Sequence, residues 1–402
     1  MPRSLLRSFV MAAAICLPLL MDANLAAAAS RPPTAASVGM QLAELKGSDS
    51  VLGDEFGYAV AISGTTAIVG APGRDRDAGR AYVFSKSGNS WKQVAELKGS
   101  DTAADDEFGS SVATSGNTVV VGAHNRASAS GRAYVFTKTA TSWKQAAELK
   151  GSDTADYDNF GISVAVSGSF VVVGADGHDN TAGRAYVFTK TMTRWTQVAE
   201  LKGADIASGD EFGSSVAISG STVVVGAFGY GSFAGRAYVF AKISTRWVQT
   251  AELGGTVTAA NDYFGISVAI SATTIVVGAE GQADYAGRAY VFTNTGTRWT
   301  QVAELKGSDA NATDDDFGYG VAVSGNTAVV GAPGVAKVAG RAYVFSRTPT
   351  GWKQAAELKG TDIAAGDWFG YRVAISGAIA LVGEYAENAP FSIAGQAYLF
   401  EA

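Results

Sequence analysis

The sequence predicts an all-β fold, a seven-bladed β-propeller of four-stranded blades in which the N-terminal strand completes the last blade and closes the ring. Three observations favour this fold. Phe-Gly pairs recur seven times at intervals of 52 or 53 residues, each interval holds four short strand-like runs, and the run before the first unit matches the fourth strand of the others. Blades of this size can close into a ring that leaves no long sheet edge.

Composition bounds the class of protein. The chain has 402 residues, of which 47% are hydrophobic and 17% charged, with 49 glycines, one cysteine and a formal net charge of −6. The hydrophobic share is that of a folded chain, so general disorder is excluded. The acidic balance argues against a nucleic-acid surface, which needs clustered Lys and Arg. A single cysteine excludes an internal disulfide framework.

Residues 1–29 have the pattern of a secretory signal peptide: two arginines, an apolar stretch, and a small-residue cleavage site at residues 27–29. The apolar stretch is too short to span a bilayer. Cys16 lies inside it and is expected to be removed with it, the alternative being a lipid anchor. We therefore expect a secreted protein (extracellular, at the cell surface or periplasmic) with residues 30–39 as a flexible arm and no transmembrane segment.

The four runs of each unit have strand chemistry. They are rich in Val, Tyr and Phe and are bounded by Ser-Gly, Gly-Ala or Thr-rich turns. In the second unit they cover residues 111–114, 118–121, 132–136 and 143–149. No helical periodicity follows the leader.

The ends of the propeller region, residues 40–402, predict how the ring closes. Residues 40–45 (Met-Gln-Leu-Ala-Glu-Leu) match the fourth strand of the other units, whereas the seventh unit has only three strands of its own. We expect residues 40–45 to supply the missing strand of the last blade.

The pattern Phe-Gly … Gly-Ala-Pro, literal at residues 70–72 and 331–333, resembles the FG-GAP repeat. FG-GAP repeats build the seven-bladed β-propeller at the N-terminus of integrin α subunits and of many secreted bacterial proteins. The resemblance covers roughly residues 40–402 and implies the fold, but a fold does not imply an activity. Integrin propellers carry calcium in Asp-rich loops between the first and second strands of several blades. In this sequence those positions, from Ser63 to Ser376, are tight turns without a carboxylate, so no cofactor is expected, with calcium elsewhere left open.

Residues that recur in every unit are interpreted as structural. An Asp lies two residues before each Phe-Gly, from Asp54 to Asp367. We interpret it as a turn cap that accepts backbone N–H groups, the alternative being a set of metal ligands. The Glu of each Ala-Glu-Leu is interpreted as a charged guard on the outer blade edge. The repeated tryptophans, from Trp91 to Trp352, are interpreted as blade packing.

Consecutive loops of a blade alternate between the two faces of the ring. The upper face, as we name it, has the loops between the fourth and first strands and between the second and third strands; the lower face has the others. This assignment gives the upper face 28 acids and 16 bases, and the lower face 11 bases, from Lys86 to Lys353, and no acid. The lower face could meet an anionic wall polymer or membrane surface. The alternative is a solvated face that keeps the protein soluble.

Residues that vary between units concentrate on the upper face, where a single ligand could be recognised. Aromatic rings beside Asp suit stacking on sugar rings or a protein-binding hot spot. The alternative is that the rings fold over their own blade. The candidate ligand-binding residues are Asp176, His178, Asp179, Phe228, Tyr230, Phe233, Tyr285, Trp368 and Tyr385.

Little in the sequence points to catalysis. His124 and His178 are the only histidines, and with Asp176 and Asp179 they could bind a metal or be ordinary solvated side chains. No nucleophile–base pair, phosphate loop or zinc motif is present, so no catalytic residue is predicted. Arg372, on an inner strand near the channel, could bind an anion or be a partnered structural arginine.

The sequence thus predicts an exported, non-enzymatic binding or adhesion propeller, monomeric, that recognises an extracellular protein or glycan through its upper face. One alternative is a structural surface platform without a dedicated site. The other is a metal-assisted hydrolase or lyase that uses the central channel.

Overall fold

The structure is a computed structural model that describes residues 37–192, 194–296, 298–385 and 394–402. The predicted signal peptide and residues 30–36 of the predicted arm lie outside the described residues. Strands β1 to β28 form seven antiparallel four-stranded sheets, as predicted. In the part of the chain that the structure describes, no helix has the length and apolar character needed to cross a membrane.

Each of the first six blades consists of four consecutive strands, which follow one another from the channel outward. Blade one has β2 Ala59–Ser63, β3 Thr66–Ala71, β4 Arg80–Ser87 and β5 Ser90–Leu97; blade two has β6 Ser111–Ser115, β7 Thr118–Ala123, β8 Arg132–Lys138 and β9 Trp143–Leu149. Blade three has β10 Ser163–Ser167, β11 Phe170–Ala175, β12 Arg184–Lys190 and β13 Trp195–Leu201; blade four has β14 Ser215–Ser219, β15 Thr222–Ala227, β16 Arg236–Ile243 and β17 Arg246–Leu253. Blade five has β18 Val268–Ser271, β19 Thr274–Ala279, β20 Arg288–Asn294 and β21 Trp299–Leu305; blade six has β22 Val321–Ser324, β23 Thr327–Ala332, β24 Arg341–Thr348 and β25 Gly351–Leu358.

The seventh blade joins the two ends of the propeller. It contains β26 Phe369–Ser376, β27 Ile379–Glu384, β28 Gln396–Glu401 and β1 Gln41–Leu45. Strand β1 runs antiparallel to β28, with Leu45 opposite Ala397, which confirms the predicted closure. The N–H of Gly39 also donates to the carbonyl of Glu401 at 2.8 Å, so the end of the predicted arm is attached to this blade.

The hydrophobic core lies between neighbouring blades. All six residues of β3 are buried, whereas the outer strand β5 alternates between exposed and covered positions, because the middle strands have a blade on either side. Each repeated tryptophan packs against one of these interblade clusters. The interpretation of the tryptophans as blade packing is therefore confirmed.

Among the described residues, six four-residue helical turns connect second and third strands, and the sequence did not predict them. Their two central residues have left-handed backbone angles, such as φ 57° and ψ 46° at Asp75. Carbonyls of each turn accept N–H groups from the next blade, as in Glu107 N to Asp77 O at 2.7 Å. The turns are α1 Arg74–Asp77, α2 Arg126–Ala129, α3 His178–Thr181, α4 Tyr230–Phe233, α5 Gln282–Tyr285 and α6 Val335–Val338.

Serines join neighbouring blades at both ends of the inner strands. On the lower face, the serine that starts each first turn accepts an N–H from the next blade, and Gly64 N to Ser376 Oγ at 2.9 Å closes the circle. At the upper end, Ser111 Oγ donates to Gly161 O at 2.7 Å, and three other blades repeat this bond. The turns without carboxylates thus have a structural role in holding the ring.

Candidate functional site

Two variable positions in every unit lie at the upper ends of the two innermost strands, around the mouth of the channel. The residues before Phe-Gly all have φ between 54° and 59°. From Glu107 to Trp368, the backbone N–H of each donates to a carbonyl of the left-handed turn of the preceding blade, which holds this conformation. The first set is Glu55, Glu107, Asn159, Glu211, Tyr263, Asp316 and Trp368; the second, which follows Gly-Ala or its equivalent, is Pro72, His124, Asp176, Phe228, Glu280, Pro333 and Tyr385.

Four aromatic residues of blades four and five form a continuous cluster, which we call the aromatic ladder: Phe228, Phe233, Tyr263 and Tyr285. Successive ring centroids are 6.4 Å apart for Phe228–Phe233, 5.5 Å for Phe233–Tyr263 and 6.0 Å for Tyr263–Tyr285. Phe233 is 39% exposed and Tyr285 37% exposed. The structure therefore brings the predicted residues Phe228, Phe233 and Tyr285 together on the upper face. It also places Tyr263 beside them, which the sequence did not reveal.

Tyr230 lies apart from the ladder and is bound to its own blade. Its hydroxyl donates to Asp205 Oδ2 at 2.9 Å, and the guanidinium of Arg236 lies 4.9 Å from its ring centroid. Arg74 and His178 occupy the same position of their turns and make equivalent contacts with acids of their own blades. The ring of Tyr230 therefore lies against its own blade.

His178 and Asp179 also have partners within blade three. His178 Nδ1 is 2.8 Å from Asp158 Oδ2, and Asp179 Oδ2 accepts a hydrogen bond from Arg184 at 3.2 Å. The side chains of these two candidate residues therefore stabilise the turn and its contacts within the blade.

The structure does not bring the two histidines together. His124 lies at the channel mouth, with Nδ1 3.0 Å from Ser110 Oγ and Nε2 3.4 Å from Glu107 Oε2, whereas His178 begins a turn. Burial lowers the pKa of His124 to about 4, so its ring is neutral at physiological pH. Among the described residues, no three His, Asp or Glu side chains converge as metal ligands would.

Carboxyl groups with raised pKa values line the mouth near the ladder. Burial and the nearby charge of Asp176 raise the pKa of Glu211 to about 7. Burial and the charge of Asp316 raise the pKa of Glu280 to about 8, and burial raises that of Asp316 to about 6. Asp176, which accepts a hydrogen bond from Asn159 at 3.0 Å, also has a pKa raised by burial. Part of the acidic charge predicted for this face is thus neutralised by protons.

Trp368 and Tyr385 belong to a second aromatic group, at the blade-seven side of the mouth. Its ring centroids are 6.3 Å apart for Trp368–Tyr371, 5.0 Å for Tyr371–Tyr385, 5.2 Å for Tyr58–Tyr385 and 4.8 Å for Tyr319–Tyr371. Tyr371 and Tyr385 are buried. We call this group, together with Arg372, the tyrosine cluster; its members are Tyr58, Tyr319, Trp368, Tyr371, Arg372 and Tyr385.

A comparison with known protein families decides the identity of the repeats. The model of the FG-GAP repeat matches seven segments, at residues 40–84, 91–136, 143–188, 195–240, 247–292, 299–345 and 352–400. The chain belongs to the FG-GAP repeat family. No curated protein matches the chain. Membership accounts for the seven-bladed propeller and leaves the ligand to be inferred from the site.

The residues that define an FG-GAP repeat form the joint between blades. Each Phe is fully buried and packs on the Tyr of the third strand of its own blade, as in Phe108–Tyr134 at 5.5 Å. The Gly allows the backbone of the preceding blade to approach closely. A Cβ on Gly109, at φ 104°, would lie 2.2 Å from the carbonyl oxygen of Arg80. Only glycine tolerates both the angle and the contact.

The two sets of recurrent acids have different partners. The Asp before each FG-GAP Phe accepts a backbone N–H three residues earlier, as in Val51 N to Asp54 Oδ2 at 2.7 Å, and all seven blades repeat the bond. The turn-cap interpretation is confirmed. The Glu of Ala-Glu-Leu lies on the outer strand, and in the first six blades it pairs with the Arg that starts the third strand, as in Glu96 Oε1 to Arg80 Nε at 2.9 Å. In blade seven, Glu44 pairs with Lys46.

The lower face of this FG-GAP propeller is strongly basic. Of its eleven Lys and Arg side chains, all except the half-buried Lys86 are exposed, and none forms an ion pair with a described residue. The expectation that this face has no acid is wrong in one place. Glu401 ends β28 opposite Ile379, beside a lower-face turn.

Proposed function

We propose that the protein is an exported, non-enzymatic binding propeller that recognises a glycan or an extracellular protein through the aromatic ladder of its upper face. The observation that carries the proposal is the ladder itself. Four rings from two blades lie in contact, one pair stacked at an interplanar angle of 28° and two pairs tilted at 45° and 39°, and two of the rings are more than one-third exposed.

The position of the ladder supports a binding role because it breaks the repeat. At the place of Tyr263 other blades have acids, an amide or Trp368, and at the place of Phe228 they have residues such as Pro72 or His124. A sevenfold structure does not need these rings. Tyr and Phe supply large contact areas with little loss of side-chain freedom, and tyrosine hydroxyls add hydrogen bonds at the rim.

A glycan array together with a panel of extracellular proteins tests the proposal. Phe233→Ala/Tyr285→Ala is expected to weaken binding of the best array ligand at least about tenfold, since each aromatic contact contributes about 0.5–1.5 kcal/mol. The matched control is Tyr157→Ala, which removes a 74% exposed ring outside the ladder.

The outcomes separate the alternatives. Unchanged binding in the folded double variant would exclude the ladder as the contact. A wild-type protein that binds no member of either panel would favour the platform without a dedicated site.

The lower face supports a second contact, with an anionic wall polymer or membrane surface. Its ten exposed basic side chains come from six blades and lie near the turns between the third and fourth strands. Such a face attracts anionic polymers over distances of about 8–10 Å at physiological salt. If the lower face binds an anionic surface, the aromatic ladder lies on the opposite face, where it stays accessible to its ligand.

A further inference from the structure

Arg372 replaces a structural residue of the inner strands. The third residue after each FG-GAP Phe is Ser in four blades, and each of those serines donates to a glycine carbonyl of the next blade at 2.7 Å. In blade seven this position holds an arginine that cannot repeat the serine bond. The substitution removes an interblade contact and adds a positive charge to the channel.

The backbone is also changed at this point. The pairing of β26 with β27 shifts register between Phe369 and Val373, which is the mark of a β-bulge. Bulges redirect side chains and are common next to functional sites. In blade six, Gly320 leaves the space: a Cβ there would lie 3.1 Å from Tyr371 O and 3.5 Å from Arg372 Cα.

Tyrosines hold the guanidinium without neutralising it. Its carbon lies 4.5 Å from the ring centroid of Tyr371 and 5.0 Å from that of Tyr319, and Nη1 donates to Tyr371 O at 3.1 Å. Across residues 37–385 and 394–402, apart from 193 and 297, no carboxylate lies within the 4.0 Å of an ion pair. A guanidinium has five N–H donors, so this group retains capacity for a ligand.

The cavity around Arg372 has further polar groups. It encloses about 180 Å³ of the channel and is lined by Arg372, Tyr319 and serines that include Ser110 and Ser214. Ser214 Oγ is buried and has no hydrogen-bond partner among the described residues, and the same is true of Glu280 Oε2. Glu280 is close enough for Arg372 to affect its charge, yet its pKa stays raised, to about 8. A protonated Glu280 does not cancel the charge of Arg372 at neutral pH.

We propose that this cavity, the Arg372 site, binds a small organic carboxylate, with the carboxylate on the guanidinium and ligand hydroxyls on the channel serines. The planar fork of arginine matches a carboxylate in a bidentate pair. A single cation with Glu280 nearby favours a monoanion over a dianion such as phosphate. The carboxylate could belong to a free acid or to a uronate unit of a glycan. The proposal does not depend on the aromatic ladder.

Calorimetric titration of the whole protein with glucuronate, glucose and inorganic phosphate tests the site. Glucuronate is expected to bind at least about tenfold more tightly than glucose, because charge-assisted hydrogen bonds discriminate by about this factor or more. Arg372→Ser, which installs the residue found in four other blades, is expected to weaken glucuronate binding by the same factor.

Controls keep the result specific. Thermal unfolding checks that Arg372→Ser folds, and Arg372→Gln, which keeps much of the side-chain length without the charge, serves if it does not. Tyr157→Ala, whose exposed ring lies outside both sites, should keep full glucuronate binding. Glucuronate and the array ligand are titrated separately into Arg372→Ser and Phe233→Ala/Tyr285→Ala, so failure of the ladder and failure of this site are distinguishable. Tighter binding of an oligogalacturonate than of galacturonate would support a glycan source, and equal binding a free acid. Equal affinity for glucose and glucuronate, equal affinity of wild type and Arg372→Ser, or tighter binding of phosphate would overturn the proposal.

Discussion

Single residues show how the repeats preserve a buried hydrogen bond when one partner changes. The tyrosine of each third strand is fully buried, and in six blades its hydroxyl donates to an Asp, as in Tyr134 to Asp101 at 2.8 Å. In blade five, Val257 stands in place of that Asp, and Tyr290 donates to Gln282 of the neighbouring turn instead. A buried donor left without an acceptor costs about 1–3 kcal/mol, which explains the compensation.

Glu384 gives blade seven a buried carboxyl group where the other six blades have an alanine. It replaces the Ala that ends the second strand elsewhere, is 1% exposed, and has its Oε2 2.8 Å from the Tyr398 hydroxyl, which is also 2.8 Å from Asp362 Oδ1. Because the hydroxyl has one proton, a protonated Glu384 donates to the hydroxyl oxygen while Tyr398 donates to Asp362. Its other oxygen has no hydrogen-bond partner among the described residues. Burial, with the charges of Asp367 and Asp362, raises its pKa from 4.5 to about 8.

Glu384 is therefore expected to make stability fall as pH rises. A carboxyl with a raised pKa binds its proton more tightly in the folded state, so its contribution is complete below about pH 4.5 and is lost as pH passes about 8. Tm measured from pH 6.5 to about 9 should fall in the wild type and fall less in Glu384→Gln. This range lies above the window of His124, whose lowered pKa acts with the opposite sign between about 4 and 6.5.

A second variant separates charge from shape. Glu384→Ala installs the residue of the other six blades and should flatten the pH profile as Glu384→Gln does, even if its Tm is lower at every pH. Parallel profiles for the wild type and both variants would show that Glu384 does not titrate in this range.

The left-handed turns between the second and third strands contain many of the residues that vary on the upper face. In each turn three consecutive residues have positive φ, such as Asp75, Arg76 and Asp77 at 57° to 61°. For residues other than glycine this conformation costs about 1–2 kcal/mol each. The turns persist because their carbonyls accept N–H groups from the next blade, so the strain is offset by interblade hydrogen bonds.

A reciprocal pair of substitutions tests the strain in these turns. Gly231 and Ala283 begin the left-handed runs of α4 and α5, with φ 61° and 57°. Gly231→Ala is expected to lower the free energy of unfolding by about 1 kcal/mol, and Ala283→Gly to raise it by up to about 1 kcal/mol. Denaturant unfolding measures both.

Steric clashes do not affect the comparison of Gly231→Ala with Ala283→Gly. A Cβ on Gly231 would meet only Ala234 Cβ, at 3.9 Å, and Ala283 is exposed. Ala113→Gly, in the strand β6, is the control and should destabilise, because glycine weakens a strand. A stabilising Gly231→Ala would show that these turns carry no strain.

For the whole molecule, the sequence predicts the architecture better than it predicts the site. The repeat period, the strand runs and the match of residues 40–45 to a fourth strand lead to the observed ring, because each is a local pattern repeated seven times. The serine bonds between blades, such as Ser111 to Gly161, join residues 50 positions apart and leave no local pattern. Variation among repeats singled out Phe233 and Tyr285 as candidates, but spacing alone did not show that Tyr263 lies beside them or that Tyr230 turns to its own blade.

The charge difference between the faces leads to a prediction for the whole molecule. Vesicles of phosphatidylglycerol and phosphatidylcholine should bind the protein in sedimentation assays, vesicles of phosphatidylcholine alone should not, and added salt should release it. Lys144→Glu/Arg246→Glu/Lys353→Glu reverses three exposed lower-face charges and is expected to reduce binding about a hundredfold, at about 1 kcal/mol or more for each charge. Lys98→Glu/Lys150→Glu/Lys306→Glu makes the same change in charge on the upper face and should leave binding largely intact. Equal losses in the two variants would mean that net charge, not the lower face, governs the contact.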